Sequence, residues 1–228
     1  QFWDGRAKDV EEQAQGPVLN PIEMGIPHAD FAVERIASMP VYGELFAKAF
    51  PDQSEPLVYT NIANAIGAFE RTLTTPSRFD DYLNGDADAL SEQELAGLQT
   101  FIEYGCAGCH NGAALGGNSL QRFGVTEAYW EATRDFVAID SPTMPMDVGR
   151  FAVTHDEADL YVFKVPSLRN ITRTYPYFHD GSVWSLRDAT QIMARVQLGR
   201  ELGEQELDDL MAFYGALEGT IPEYALQL

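Results

Sequence analysis

Gly105-Cys106-Ala107-Gly108-Cys109-His110-Asn111-Gly112 is the stretch on which the reading of this chain turns, because it holds C-x-x-C-H, the pattern of c-type haem attachment. Two thiols three positions apart can reach the two vinyl groups on one edge of a porphyrin, and the next residue can turn its imidazole under the iron. A redox C-x-x-C or half of a zinc site would use the same cysteines. Zinc would need two further ligands, and the remaining histidines, His28, His155 and His179, stand at no close zinc-finger spacing. The histidine directly after the second cysteine favours haem, with thioethers at Cys106 and Cys109 and His110 as the first protein ligand to iron.

Working outward, Ser91 and Glu94 form a capping-box pattern ahead of Leu95, Leu98 and Ile102, which share one helical face. A helix is therefore expected to deliver the motif. Ser185 and Asp188 open a second capped helix through Val196, and a last helix runs from about Gly203 to Leu217 with Leu207, Leu210, Met211 and Tyr214 on one side. Residues 111–165 are rich in Gly, Pro and short polar residues, which predicts mostly loop. Toward the start, Phe31 to Phe50 reads as two short helices broken at Met39-Pro40. Thr60 to Thr72 reads as another, with Ile62, Ala65, Ile66 and Phe69 on its apolar face and Pro76 beyond its end. Arg78 to Leu90, with the Asn84-Gly85 turn signal, reads as a connector, so the domain boundary is set at 75/76.

At 228 residues and 45% hydrophobic content the chain can build one large core or two small ones. A formal charge of -20 and a pI near 4.3 make nucleic acid and anionic membranes poor partners and would steer in a basic protein. No run of 18 apolar residues occurs, so no membrane-spanning helix is expected, and the opening Gln1-Phe2-Trp3-Asp4 has neither region of a leader peptide. The sixth iron position of an electron-transferring haem calls for a Met thioether, which raises the potential. Of the six methionines, Met144 and Met146 lie in the Gly/Pro-rich loop and Met193 in the helix opened by Ser185. Spacing leaves Met144 and Met193 even, and for any single Met on a helix a core gap-filler is the ordinary role.

Several blocks occur in one order: Gln1 to Ala7; Gly16-Pro17 with Pro21-Ile22-Glu23-Met24; Phe69 to Leu73; Gly105 to Gly112; Leu115-Gly116-Gly117; Phe163 to Asn170; Pro176 to Gly181; and Gln197-Leu198-Gly199. In these blocks the chain resembles the later two-thirds of the bacterial dihaem cytochrome c peroxidases, the family that includes MauG-type enzymes. The resemblance implies an all-α architecture: residues 1–75 as the remainder of a first, peroxidatic cytochrome c-like domain, and 76–228 as an electron-transferring cytochrome c-like haem domain. Gly97 would let the helix before the motif cross the last helix closely, with Phe101, Phe213 and Tyr214 packing at the crossing.

The same resemblance implies reduction of hydrogen peroxide to water with electrons from a small cytochrome c or cupredoxin. It selects Met193 as the sixth ligand, where MauG-type members have Tyr. It places Trp3 between two haems, and Gln13 and Glu23 on the distal side of the peroxide-binding haem, where O–O heterolysis needs a group that moves a proton between the two oxygens. Outside that setting Glu23 would be an ordinary loop carboxylate and Trp3 a buried aromatic. Thr174 and Pro176 fall where backbone carbonyls help hold calcium, a choice suited to hard oxygen donors, and His179 is expected to be a hydrogen-bonding residue near the haem. A second haem is expected in the complete enzyme, with this chain read as a fragment. A homodimer and a periplasmic location after signal removal complete the implication. A haem electron carrier without peroxide chemistry, and MauG-like oxidation of a protein, stand as alternatives.

Overall fold

Residues 1–136 and 146–226 are described in this computed structural model, and they fold into two compact units, Gln1–Phe2 with Arg6–Thr74, and Trp3–Gly5 with Thr75–Leu228. The first unit consists of four helices: α1 Val10–Leu19, α2 Ala29–Ala37, α3 Pro40–Ala49 and α4 Tyr59–Glu70. Local chemistry starts two of them, since the Asp9 carboxylate accepts from the Glu12 N–H at 2.9 Å and His28 Nδ1 accepts from the Phe31 N–H at 3.2 Å. Pro40 stands at the first position of α3, where its missing N–H leaves nothing unpaired. That accounts for the break anticipated at Met39-Pro40.

The face expected to bury α4 is not the one it buries. Ala65 and Phe69 are exposed, whereas Asn61, Ala63 and Gly67 are buried. The small residues let α1 lie close, because a Cβ on Gly67 would stand 2.9 Å from Glu11 Cδ and 3.0 Å from Val10 Cγ2. Asn61 satisfies its buried amide by donating to Gln53 Oε1 and to the Pro56 carbonyl, both at 2.7 Å.

The second unit holds α5 Arg78–Leu83, α6 Glu92–Glu103, β1 Leu120–Arg122, α7 Tyr129–Ala132, α8 Phe151–Thr154, β2 Val162–Lys164, α9 Leu186–Leu198 and α10 Glu204–Ala216. The segment read as a connector therefore begins as a helix. Its first turn is tied down by Asp80, whose carboxylate accepts from the Ser77 N–H at 2.8 Å and from both arms of the Arg169 guanidinium at 2.7 Å. Asn84 and Gly85 form the turn that ends it. In the described part of 111–165 loop does predominate, but residues 120–122 and 162–164 pair as an antiparallel ribbon that periodicity did not reveal.

Ser91 and Glu94 cap α6 reciprocally, the hydroxyl accepting from the Glu94 N–H at 3.3 Å and the carboxylate from the Ser91 N–H at 2.8 Å. Glu94 is buried, and the Arg78 guanidinium beside it lowers its carboxyl to about 2. A depressed folded-state pKa means the stabilisation is complete above the ordinary value of 4.5 and is lost as pH falls toward about 2. Glu94→Gln is expected to flatten the acid limb of a stability-versus-pH curve in that window, measured by urea unfolding. An unchanged limb would deny the pair this role.

The buried face of α6 is Glu94, Gly97 and Phe101, while Ile102, expected on that face, is 57% exposed. Gly97 decides this: a Cβ there would lie 1.9 Å from the Asp209 carbonyl oxygen of α10. The two backbones touch at that point. Phe101 then packs on Phe213 at 5.5 Å and on Tyr214 at 6.4 Å between ring centroids, with Phe213, Leu210 and Leu217 almost wholly buried.

Candidate haem-binding site

Directly after α6, Gly105 takes a left-handed conformation, φ 86°, and Cys106–Gly108 form a single 3-10 turn. This turn aims the motif at an apolar cleft of the second unit. Cys106, Cys109, His110, Met193 and Trp3 line that cleft together, with walls from Phe101, Phe163, Leu168, Leu202 and Tyr214. The donor set suits a covalently held haem, and the lining suits a porphyrin face. Burial pushes the Cys106 thiol up, the opposite of the activated thiolate that a redox C-x-x-C requires. Among the described residues no three His, Cys, Asp or Glu side chains group as a metal site.

Burial also lowers the His110 pKa, keeping the imidazole neutral. Its Nδ1 lies 3.3 Å from the Leu115 carbonyl oxygen, so the proton belongs on Nδ1 and the Nε2 lone pair is left for iron. Ser185 caps α9 by accepting from the Asp188 N–H at 3.2 Å, and Gly199 ends the helix at φ 62°. Between these ends Met193 faces the cleft. Met146 is exposed and does not line it, and Met144 lies outside the described residues.

Trp3 joins this unit through its backbone, whose carbonyl accepts from the Lys164 N–H at 2.7 Å, and its ring lies 5.8 Å from the Lys164 ammonium. It is 38% exposed rather than deeply buried. His179 stacks on Phe163 with centroids 4.0 Å apart, and its Nε2, 3.8 Å from an Asp147 carboxylate oxygen, has no hydrogen-bond partner among the described residues. The rings of Phe123, Tyr129 and Phe163 enclose the imidazole. Thr174 follows the 3-10 turn Ile171–Arg173, and the Tyr175–Pro176 peptide is cis.

Gln13 and Glu23 belong to the first unit. Gln13 lies within α1 and is partly buried, and Glu23 lies in the exposed turn after it, accepting from Asn20 Nδ2 at 2.6 Å. The cleft also holds Arg122 and Lys164, to which the sequence assigns no role. Their signal is a pairing across some 40 positions that no local pattern carries.

A helix ending at an attachment motif, crossed by an aromatic closing helix over an apolar cleft, defines a cytochrome c-like, all-α haem protein. The model of the family described as di-haem cytochrome c peroxidase matches residues 1–88. The cytochrome c551 peroxidase of Nitrosomonas europaea is 46% identical over all of this chain and 64% of its own length, and that of Pseudomonas aeruginosa is 44% identical over 99% and 63%. A solved MauG-like protein associated with microbial copper homeostasis superposes with a TM-score of 0.75 at 28% identity, over 95% of this chain and 73% of the other. The chain belongs to the bacterial di-haem cytochrome c peroxidase family, which includes the MauG proteins. It spans a little under two thirds of the length of the peroxidases it matches.

Proposed function

We propose that this chain is the electron-transferring haem module, with distal residues of the peroxidatic site, of an enzyme that reduces hydrogen peroxide to water using electrons from a small cytochrome c or cupredoxin. The observation that carries this reading is the convergence of Cys106, Cys109, His110 and Met193 on one apolar cleft. A c-type haem bound there supplies one-electron transfer. Cys106 and Cys109 would fix it by thioethers, His110 would give a neutral nitrogen ligand held in place by Leu115, and Met193 would give the sulfur ligand that raises the potential. His110 and Met193 together would hold the haem for electron transfer rather than for binding peroxide. Trp3 at the cleft wall conducts electrons onward, and Glu23, with Gln13, moves the proton from one peroxide oxygen to the other.

The carbonyls of Thr174 and Pro176 would contribute to a calcium site, and covalent haem attachment would call for a periplasmic location, where a homodimer is the expected form. No helix among the described residues is long and apolar enough to cross a membrane. Met193→His is expected to lower the haem potential and abolish the sulfur-to-iron charge-transfer band. Loss of that band in Met144→Ala, with Met193→His unaffected, would move the ligand to the loop.

A further inference from the structure

Charge is distributed unevenly in this molecule. The chain has 35 Asp and Glu against 15 Lys and Arg, yet among the described residues no carboxylate lines the cleft and two cations, Lys164 and Arg122, do. Among the described residues neither side chain makes an ion pair or a side-chain hydrogen bond; each has only an aromatic ring nearby, Trp3 for Lys164 and Tyr161 for Arg122, at 5.8 Å. Lys164 is half-buried, and burial lowers its pKa. An ammonium withdrawn from water without an anion is costly. A ligand that brings negative charge into the cleft removes that cost.

The ribbon sets the spacing of the two cations. Lys164 on β2 stands opposite Leu120 on β1, and Arg122 is two residues further along β1. Both therefore project from the same ribbon face as diagonal neighbours, roughly 7–8 Å apart at the backbone. Haem is apolar over its faces, carries its vinyl groups toward one edge and bears two propionates at the other. With Cys106 and Cys109 taking the vinyl edge, the cationic pair at the cleft is matched to two carboxylates. Resting on the haem reading above, we propose that Lys164 and Arg122 bind the haem propionates, Lys164 as the inner contact and Arg122 as the outer one.

The test uses purified holoprotein, wild type beside Lys164→Met, Lys164→Arg and Arg122→Met. Because thioethers hold the haem, loss of a propionate contact does not remove it, and pyridine haemochrome spectra establish loading for each variant. The expected result is a shifted propionate-bending mode in resonance Raman spectra for both Met variants. The midpoint potential should fall in Lys164→Met, since a lost cation disfavours the reduced, less positive haem, and both readouts should stay near wild type in Lys164→Arg. A propionate mode unchanged in both Met variants overturns the proposal, even with a lowered potential, because Lys164 would then act only at a distance or through Trp3. Wild-type protein without covalent haem overturns it differently, by removing the haem reading on which it rests.

Discussion

Glutamine in place of Glu23 is expected to slow peroxide turnover of the complete two-haem protein by about 10²- to 10⁴-fold, the range supplied by a positioned acid-base group. The substitution keeps the shape and loses the proton-carrying carboxylate. Glu23 lies in an exposed turn just after α1, where the Asn20 amide donates to it at 2.6 Å, a bond that a glutamine carbonyl can also accept. Peroxide binding should persist while the chemical step slows. Electron entry should be unaffected, because His110 and Met193 line the cleft of the other unit. Turnover measured beside reduction of the electron-transferring haem by donor separates the two. Undiminished turnover would return Glu23 to the status of an ordinary turn carboxylate.

Gly97→Ala is expected to destabilise the second unit by more than the ~1–3 kcal/mol usual for an overpacked core. The added methyl would stand 1.9 Å from the Asp209 carbonyl oxygen and 2.8 Å from Phe213 Cβ, so backbone as well as side chains must move. No flexible side-chain end is available there to give way. Separation of α6 from α10 would open the Phe101–Phe213–Tyr214 cluster and displace the turn that carries Cys106. A drop in the urea midpoint, followed by far-ultraviolet circular dichroism, checks this. A midpoint within experimental scatter of wild type would mean that the close approach of α6 and α10 is not needed for stability.

What the sequence discloses is mainly what is local. The pairs Ser91/Glu94 and Ser185/Asp188 write their helix starts in four residues, and both caps are made. Gly97 is legible because a glycine inside an apolar helical pattern asks for a close neighbour. By contrast α5 is too short for periodicity to register and shares its segment with an Asn-Gly turn; distant Arg169 holds it in place. The buried side of α4 is set by Ala63 and Gly67 against α1, a helix not anticipated, so the more apolar Ile62 and Phe69 mislead.

The same division runs through the candidate site. Cys106, Cys109 and His110 are adjacent and speak for themselves, whereas Met193 reaches the cleft only because α9 folds back to it. Spacing could not choose it over Met144. The pairing of Lys164 with Arg122 is not legible, because strand pairing across some 40 positions brings them to one face, and the lack of carboxylates around them among the described residues exists only in three dimensions.

The measurement that bears most directly on the central claim is acid-acetone extraction of the denatured holoprotein, followed by intact-mass analysis of the chain. Haem should stay with the polypeptide and add one haem to its mass, and Cys106→Ala with Cys109→Ala together should release it. Free haem in the organic phase from the wild-type chain would contradict thioether attachment at Cys106 and Cys109 and the account built on it.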